Sequence, residues 1–292
     1  MQQYQASQMI LDYTHQLDHS TSAMNSRMTC PLYTNGLLTI YLQFNAQKFQ
    51  YVCYHTEDKL FTNNMYIYPS HNIINPVPNV RDIGITMSNS CTFEQHIANV
   101  IKTCSQLLGW ILRSFSSRDK LTMLTLFKCI ILPRLEYGCQ VWNPHMLHHI
   151  NNLEKIQRTF TKHISGLYEI SYIERLKSLN LYSLQRRRDR YLIIYVWKIL
   201  ESLVPNLHPP IKISSSNRLG RMCYKMCVPV GHHGTLMFNS FRWQAIRLFN
   251  SLPMNIRDIS NVDVSVFKTK LDIFLSQLKD EPCQAHEETV LT

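Results

Sequence analysis

Residues 150–164 read INNLEKIQRTFTKHI, and this stretch decides the fold class. Its apolar side chains recur every three to four positions and therefore share one helical face: Ile150, Leu153, Ile156, Phe160 and Ile164. Three cations lie on the opposite face, within roughly 60° of one another at about 100° per residue: Lys155, Arg158 and Lys162. The spacing predicts an amphipathic helix with a basic outer side, which could lie along a phosphate backbone. The alternative is a solvated face without a ligand.

The same helical period extends on both sides of this stretch. It predicts further helices near residues 92–111, 119–132, 171–179, 182–203, 239–251 and 264–279, with residues 145–165 as the central one. Asp119 is placed to cap the helix that Pro133 should end, and Gly166 should end the central helix. The first 19 residues also have helical spacing, whereas residues 20–43 look irregular or inserted.

Short alternating runs predict antiparallel strands at Phe49–Tyr54, Met65–Tyr68 and Val80–Thr86, and Met222–Pro229 is also strand-like. Only 8 glycines are present, which disfavours an all-β barrel. We therefore expect an α+β fold, predominantly α, with a small antiparallel sheet followed by a helical bundle and C-terminal helices. The expected divisions are residues 1–43, 44–90, 91–205, 206–280 and a disordered tail at 281–292.

The positive charge is unevenly distributed along the chain. Residues 1–79 contain three basic and four acidic side chains, so the remaining residues carry 27 basic and 16 acidic groups of a chain whose net charge is +10. A basic surplus of this kind favours a polyanionic partner, RNA or DNA. The alternative is charge that serves solubility alone.

The densest basic run is Arg186-Arg187-Arg188-Asp189-Arg190. Four arginines in five residues cover most of a helix circumference, so they cannot all pair with one neighbouring acid. The arginine fork matches phosphate geometry, which makes Arg186, Arg187, Arg188 and Arg190 candidate nucleic-acid-binding residues. Aromatic residues nearby could stack on bases or fill a core: Tyr182, Tyr191, Tyr195 and Trp197.

Motifs for catalysis and metal binding are weak or missing. There is no Gly-rich nucleotide loop, no Gly-x-Ser-x-Gly elbow and no Asp-Asp pair that could hold two metal ions. The Cys223-x3-Cys227 pair with His232-His233 does not have the usual zinc spacing. We therefore expect no catalytic residue, no bound metal or cofactor and no small-molecule substrate.

The nine cysteines and the absence of a secretory signal predict an intracellular protein of the nucleus or cytoplasm with reduced thiols. The most apolar stretch, Leu32–Phe44, is too short to span a membrane.

Several segments together resemble the C-terminal part of non-LTR (LINE-like) retrotransposon reverse transcriptases. The clearest is Leu108–Leu167, in which the family positions are occupied by Pro133, Leu135, Glu136, Tyr137, Gly138, Trp142, Pro144, Leu153, Glu154, Gln157 and Arg158. Tyr172–Leu184, Phe241–Pro253 and Phe267–Leu275 resemble the family's closing helices. Phe44–Val52 is similar to palm motif D, with Lys48 at its lysine. Val80–Ile85 is similar to motif E, the primer grip, with Asp82, Ile83 and Gly84 at its turn.

The resemblance implies that residues 44–90 are a palm remnant and that residues 91–205 are a thumb-like domain holding a template–primer. It also implies that the chain begins after the catalytic Tyr-x-Asp-Asp box. The Mg²⁺ ligands of the family would then be absent, and no polymerase activity is expected from this chain alone. A separate polymerase fragment is a conceivable partner. Two alternatives stay open: a helical protein-interaction module and a decayed remnant that folds poorly.

Overall fold

The computed structural model describes residues 77–207, 210–213, 220–223 and 239–280, together with 50, 52, 66–67 and 73–74. The chain divides into two compact units, residues 1–96 and 97–292. The expectations for the first 43 residues, for Phe49–Tyr54, for most of Met222–Pro229 and for the tail lie outside the described residues. None of the helices in the described part is long and apolar enough to cross a lipid bilayer.

Two antiparallel strand pairs occur among the described residues of the first unit. Strands β1 (Tyr66–Ile67) and β2 (Ile73–Ile74) pair with Tyr66 opposite Ile74. Strands β3 (Asn79–Asp82) and β4 (Ile85–Ser88) form a hairpin with Asp82 opposite Ile85. The loop consists of Ile83 and Gly84, with φ values of 46° and 81°. Positive φ at both loop positions is the geometry of a type I′ turn, which matches the twist of the two strands.

The described part of the second unit consists mainly of helices, of which α1 (Glu94–Ser114) comes first in the chain. The remaining helices follow in chain order: α2 (Lys120–Leu126), α3 (Leu132–Glu136), α4 (Cys139–Trp142), α5 (Leu147–Lys162), α6 (Tyr172–Leu179), α7 (Leu184–Leu200), α8 (Phe241–Asn250), α9 (Met254–Arg257) and α10 (Val264–Gln277). The described residues thus confirm an α+β fold that is predominantly α.

Helix starts follow the capping residues of the sequence. Asp119 accepts a hydrogen bond from the Thr122 amide at 2.9 Å at the start of α2. Ser171 and Glu174 form a reciprocal capping box on α6. Ser183 accepts from the Arg186 amide at the start of α7. These caps satisfy amides that have no partner inside the helix, which fixes where each helix begins.

The expected helix end at Pro133 is wrong, because the helical path continues to Glu136. A π-helical turn, Phe127–Ile131, joins α2 to α3, and the Leu132 amide donates to the Phe127 carbonyl five residues earlier. Proline lacks an amide hydrogen and normally clashes with the carbonyl four residues before it. The wider turn places Pro133 at the start of the next helical segment, where its missing donor costs little.

Helices α7, α8, α9 and α10 enclose one apolar core. The Trp197 and Phe267 rings stack at 4.5 Å between centroids, and neither side chain is exposed. The Trp197 indole also donates to the Ile259 carbonyl at 2.8 Å. Helix α5 packs against both α6 and α7, and its Phe160 ring lies 4.9 Å from the ring of Phe127. The central helix of the sequence is therefore held from several sides.

Candidate nucleic-acid interface

Helix α5 turns its only acidic residue inward. Glu154 is fully buried, and its carboxylate accepts hydrogen bonds from the Tyr172 hydroxyl and from the Leu184 amide at 3.1 Å. Gln157, also fully buried, donates to the Tyr172 hydroxyl at 3.1 Å and to the Tyr182 carbonyl at 2.9 Å. Burial raises the pKa of Glu154, although its hydrogen-bond donors favour the ionised form. This network ties α5 to the starts of α6 and α7.

The exposed side of α5 carries cations, neutral polar groups and the apolar Leu147, but no acid. Its exposed polar side chains are His148, Asn151, Asn152, Lys155 and Lys162. Lys155 has no acidic partner among the residues that the structure describes. The ammonium of Lys162 lies over the Tyr168 ring, 4.3 Å from its centroid. A positive field along a helix face with no intervening acid attracts a polyanion.

Arg158 differs from its two lysine neighbours. It is half-buried, and its guanidinium lies 5.0 Å from the centroid of the Tyr172 ring. Arg175, on the same ring at 5.6 Å, donates to the Thr161 hydroxyl and to the Ile170 carbonyl. The spacing in the sequence predicted one exposed basic face for all three cations of α5. In the structure Arg158 packs toward α6, and only Lys155 and Lys162 are exposed.

The arginine run of α7 is engaged within the chain. Arg186 donates to the carbonyls of Leu275 and Leu278, both at 2.8 Å, and to that of Lys279. Its Nε also lies 3.5 Å from Asp280. Arg186 therefore fastens the start of α7 to the end of α10.

Two further arginines of the run form paired contacts with carboxylates. Arg187 donates through Nε and Nη2 to Glu136, which also accepts from the Tyr191 hydroxyl at 3.0 Å. Arg190 donates to Asp272 at 2.5 and 2.7 Å. Fork-to-carboxylate pairing is the strong geometry for arginine. The two pairs join α7 to α3 and to α10.

Arg188 is buried in the interior, with 1% of its surface exposed. Its Nη2 donates to Gln185 at 3.0 Å. Burial lowers its pKa, while the neighbouring Glu154 and Asp189 carboxylates act in the opposite direction. A guanidinium in this position cannot reach a polynucleotide on the surface of the native protein.

The predicted primer-grip turn lies in the other unit. Asp82 ends β3, and Ile83 and Gly84 form the hairpin loop, so the strand and turn implied by the resemblance are present. The single strand predicted over Val80–Thr86 is wrong, because the positive φ values at Ile83 and Gly84 reverse the chain in its middle. A role in holding a primer stays a prediction. Lys48 lies outside the described residues, as do Cys227 and the His232–His233 pair.

Most acids of residues 97–207 are engaged in contacts within the chain. Residues 97–207 contain sixteen Lys and Arg but only seven Asp and Glu. Six of the seven acids cap a helix, are buried or bind another side chain: Asp119, Glu136, Glu154, Glu174, Asp189 and Glu201. Only Glu169 is exposed without a hydrogen bond or ion pair in this part of the structure. Asp119 and Glu174 stay exposed at helix starts, whereas Glu136, Glu154, Asp189 and Glu201 are half-buried or buried.

Sequence reasoning missed two features of this region. Glu154 was matched to a family position without a structural role, although a lone acid on the apolar side of an amphipathic helix indicates a buried polar contact. Tyr168 gave no signal, because it follows the end of the periodic stretch. Within the described ranges, no three His, Cys, Asp or Glu side chains come together as a metal site.

The comparisons with known proteins cover part of the chain. A stretch of 98 residues, 31% of this chain, is 31% identical to the probable RNA-directed DNA polymerase from transposon X-element of Drosophila melanogaster. A stretch of 90 residues is 30% identical to the RNA-directed DNA polymerase from mobile element jockey of the same organism. The uncharacterized protein B0403.1 of Caenorhabditis elegans is 27% identical over 112 residues, which are 37% of this chain and 57% of that protein.

No protein-family model and no solved structure matches the chain. The matched region spans 10% of the length of each of these two polymerases. The similarity thus supports a reverse-transcriptase-like origin for about a third of the chain.

Proposed function

We propose that this chain is a fragment related to the C-terminal part of a non-LTR retrotransposon reverse transcriptase, and that it binds nucleic-acid backbones without sequence specificity. The proposed binding surface is the outer side of α5, with Lys155 and Lys162 as its phosphate contacts. The similarity to two mobile-element polymerases supports the origin. The acid-free exposed face of α5 supports the binding.

The charge arrangement is the observation that carries this proposal. Lysine ammonium groups that are not paired with carboxylates can exchange their counterions for phosphates, and the released ions drive association. On this helix, Glu154 is turned into the core, so it does not offset Lys155 next to it in sequence. Contacts to phosphates alone would position the chain on a polynucleotide without selecting a sequence.

In this proposal the arginines of α7 do not contact nucleic acid; they stabilise the helical unit that carries the binding surface. Arg186, Arg187 and Arg190 hold α7 against α3 and α10, and Arg188 is interior. We propose no catalytic role for the chain alone and no metal ligand. A separately encoded polymerase fragment would have to supply polymerase chemistry.

The test measures how salt affects the binding of the full chain to a mixed-sequence DNA duplex of 30 base pairs. The double variant Lys155→Gln/Lys162→Gln should reduce the slope of log Kobs against log salt by about 1.8, since each lost phosphate contact on B-DNA removes about 0.9. The matched control Lys102→Gln/Lys270→Gln removes two exposed lysines from α1 and α10 and should leave the slope nearly unchanged. Equal slope losses in both variants, or no binding at low salt, would contradict the proposal.

A helical protein-interaction module is the second candidate, supported by four exposed apolar side chains between α3 and the start of α5: Tyr137, Val141, Met146 and Leu147, each 38–47% exposed. Exposed apolar patches mark protein interaction sites on many soluble proteins. The salt titration separates the two candidates, because a module of this kind requires no affinity for a polyanion.

A further inference from the structure

Tyr168 is an aromatic residue in an unusual setting. Its side chain is 62% exposed, the largest exposed fraction among the aromatic residues that the structure describes. It lies between α5 and α6, after Gly166, whose φ of 77° turns the chain away from α5. An aromatic ring left in water loses the stabilisation that burial would provide, so its exposure needs a local explanation.

The ring is held in place by its neighbours. The Lys162 ammonium lies over the ring, 4.3 Å from its centroid, while 62% of the Tyr168 side chain remains exposed. The Ser165 amide donates to the Arg118 carbonyl at 2.8 Å and fixes the turn that leads to Tyr168. The ring therefore stands next to a cation on the proposed binding helix.

The Arg118 segment that holds this turn carries further charged side chains, as does α6 after it. Lys120 donates to the Ser178 carbonyl at 2.5 Å, which brings the start of α2 to the end of α6 beside the exposed Lys177. Arg118 itself is directed to the carbonyls of Phe115 and Leu112. Glu169 is the acid adjacent to Tyr168 in the chain.

We infer that Tyr168 and Lys162 form a binding site for one unpaired nucleotide, in which the Tyr168 ring stacks on the base and Lys162 contacts its phosphate. The inference rests on the proposed nucleic-acid binding and deepens it. Within a duplex, both faces of each base are already covered by neighbouring bases, so an exposed ring can stack only on an unpaired or terminal base. The site therefore adds a preference for single strands to the backbone contacts of Lys155.

Fluorescence anisotropy with the full chain tests this preference. The probes are a labelled mixed-sequence single strand of 15 nucleotides and a blunt duplex of 30 base pairs. Tyr168→Ala should weaken single-strand binding about tenfold, within the range for loss of one stacked base, and should change duplex binding less than about twofold. Tyr168→Phe keeps the ring and should bind like the wild type. Tyr137→Ala removes another exposed tyrosine, at the α3–α4 junction, as the matched control.

The results distinguish failure of the stacking site from failure of the proposed nucleic-acid binding. The stacking site is refuted if Tyr168→Ala weakens both probes equally or neither, if Tyr168→Phe is as weak as Tyr168→Ala, or if Tyr137→Ala has the same effect. It is also refuted if the wild type binds the duplex in a salt-dependent way but not the single strand, which leaves the proposed function intact. If the wild type binds neither probe at low salt, the proposed function fails and the stacking site fails with it.

Discussion

The contact between Arg187 and Glu136 gives a direct test of whether the arginine run is structural. The two side chains are 24% and 14% exposed and are joined through two guanidinium nitrogens. Burial works against the charged guanidinium, yet its bonds to Glu136 raise the pKa of Arg187 overall. Glu136→Gln keeps the shape but removes the charge, and it leaves the Tyr191 hydroxyl with a weaker acceptor.

The expected loss of stability lies between two limits. An exposed ion pair contributes about 0–1 kcal/mol, whereas breaking a fully buried pair costs about 3–5 kcal/mol. A mostly buried pair with fork geometry should cost about 2 kcal/mol, in line with hydrogen bonds to charged groups. For a helical unit of this size, that corresponds to a fall in Tm of about 4–8 °C.

A double-mutant cycle with Arg187→Gln, followed by thermal and urea unfolding, measures the coupling. The same variants are then titrated with DNA at several salt concentrations. A structural Arg187 predicts a coupling of about 1–2 kcal/mol and an unchanged salt slope for protein that remains folded. The reasoning is refuted if Glu136→Gln unfolds at the wild-type temperature while Arg187→Gln lowers the slope by about 0.9, since Arg187 would then contact phosphate.

Two more predictions concern pH and the hairpin turn. Burial raises the pKa of Asp189 to about 6, so the native state holds this proton more tightly than the unfolded chain, whose aspartates titrate near about 3.9. Stability should therefore fall as pH rises from about 4 to about 6, and Asp189→Asn should flatten that part of a urea-unfolding series. Ile83, at φ 46°, is a β-branched residue in a strained position, and Ile83→Asn should stabilise the hairpin by about 1 kcal/mol. Amide hydrogen exchange of β3 and β4 measures this gain, and faster exchange would contradict it.

The helices were predictable because their information is local. Apolar spacing located α5, α6, α7, α8 and α10 to within a few residues, and capping residues such as Asp119 and Ser171 fixed several starts. The end expected at Pro133 was wrong because the proline rule assumes an ordinary α-helical turn before it. The turn before Pro133 is instead π-helical, at Phe127–Ile131, and the spacing of apolar residues does not predict it.

The arginine run could not be interpreted from sequence for a different reason. The acids that it contacts lie 51 residues before Arg187 and 82 residues after Arg190. Four arginines in five residues indeed exceed what one acid can pair with. The structure distributes them instead among Glu136, Asp272, Asp280, backbone carbonyls and the interior. Local composition gives the charge of a segment but not the distant partners that neutralise it.

The same pairing explains why the basic surface should lie on α5. Each internal Arg–carboxylate pair withdraws one cation and one anion, so it leaves the net charge of the outer surface unchanged and the lysines of α5 in solvent. Glu154 differs from these pairs. It is the only acidic residue of α5, and because its side chain is buried, the exposed face of the helix carries no carboxylate. The arginines of α7 thus hold the helices together by binding carboxylates and carbonyls, whereas the lysines of α5 remain available to phosphate.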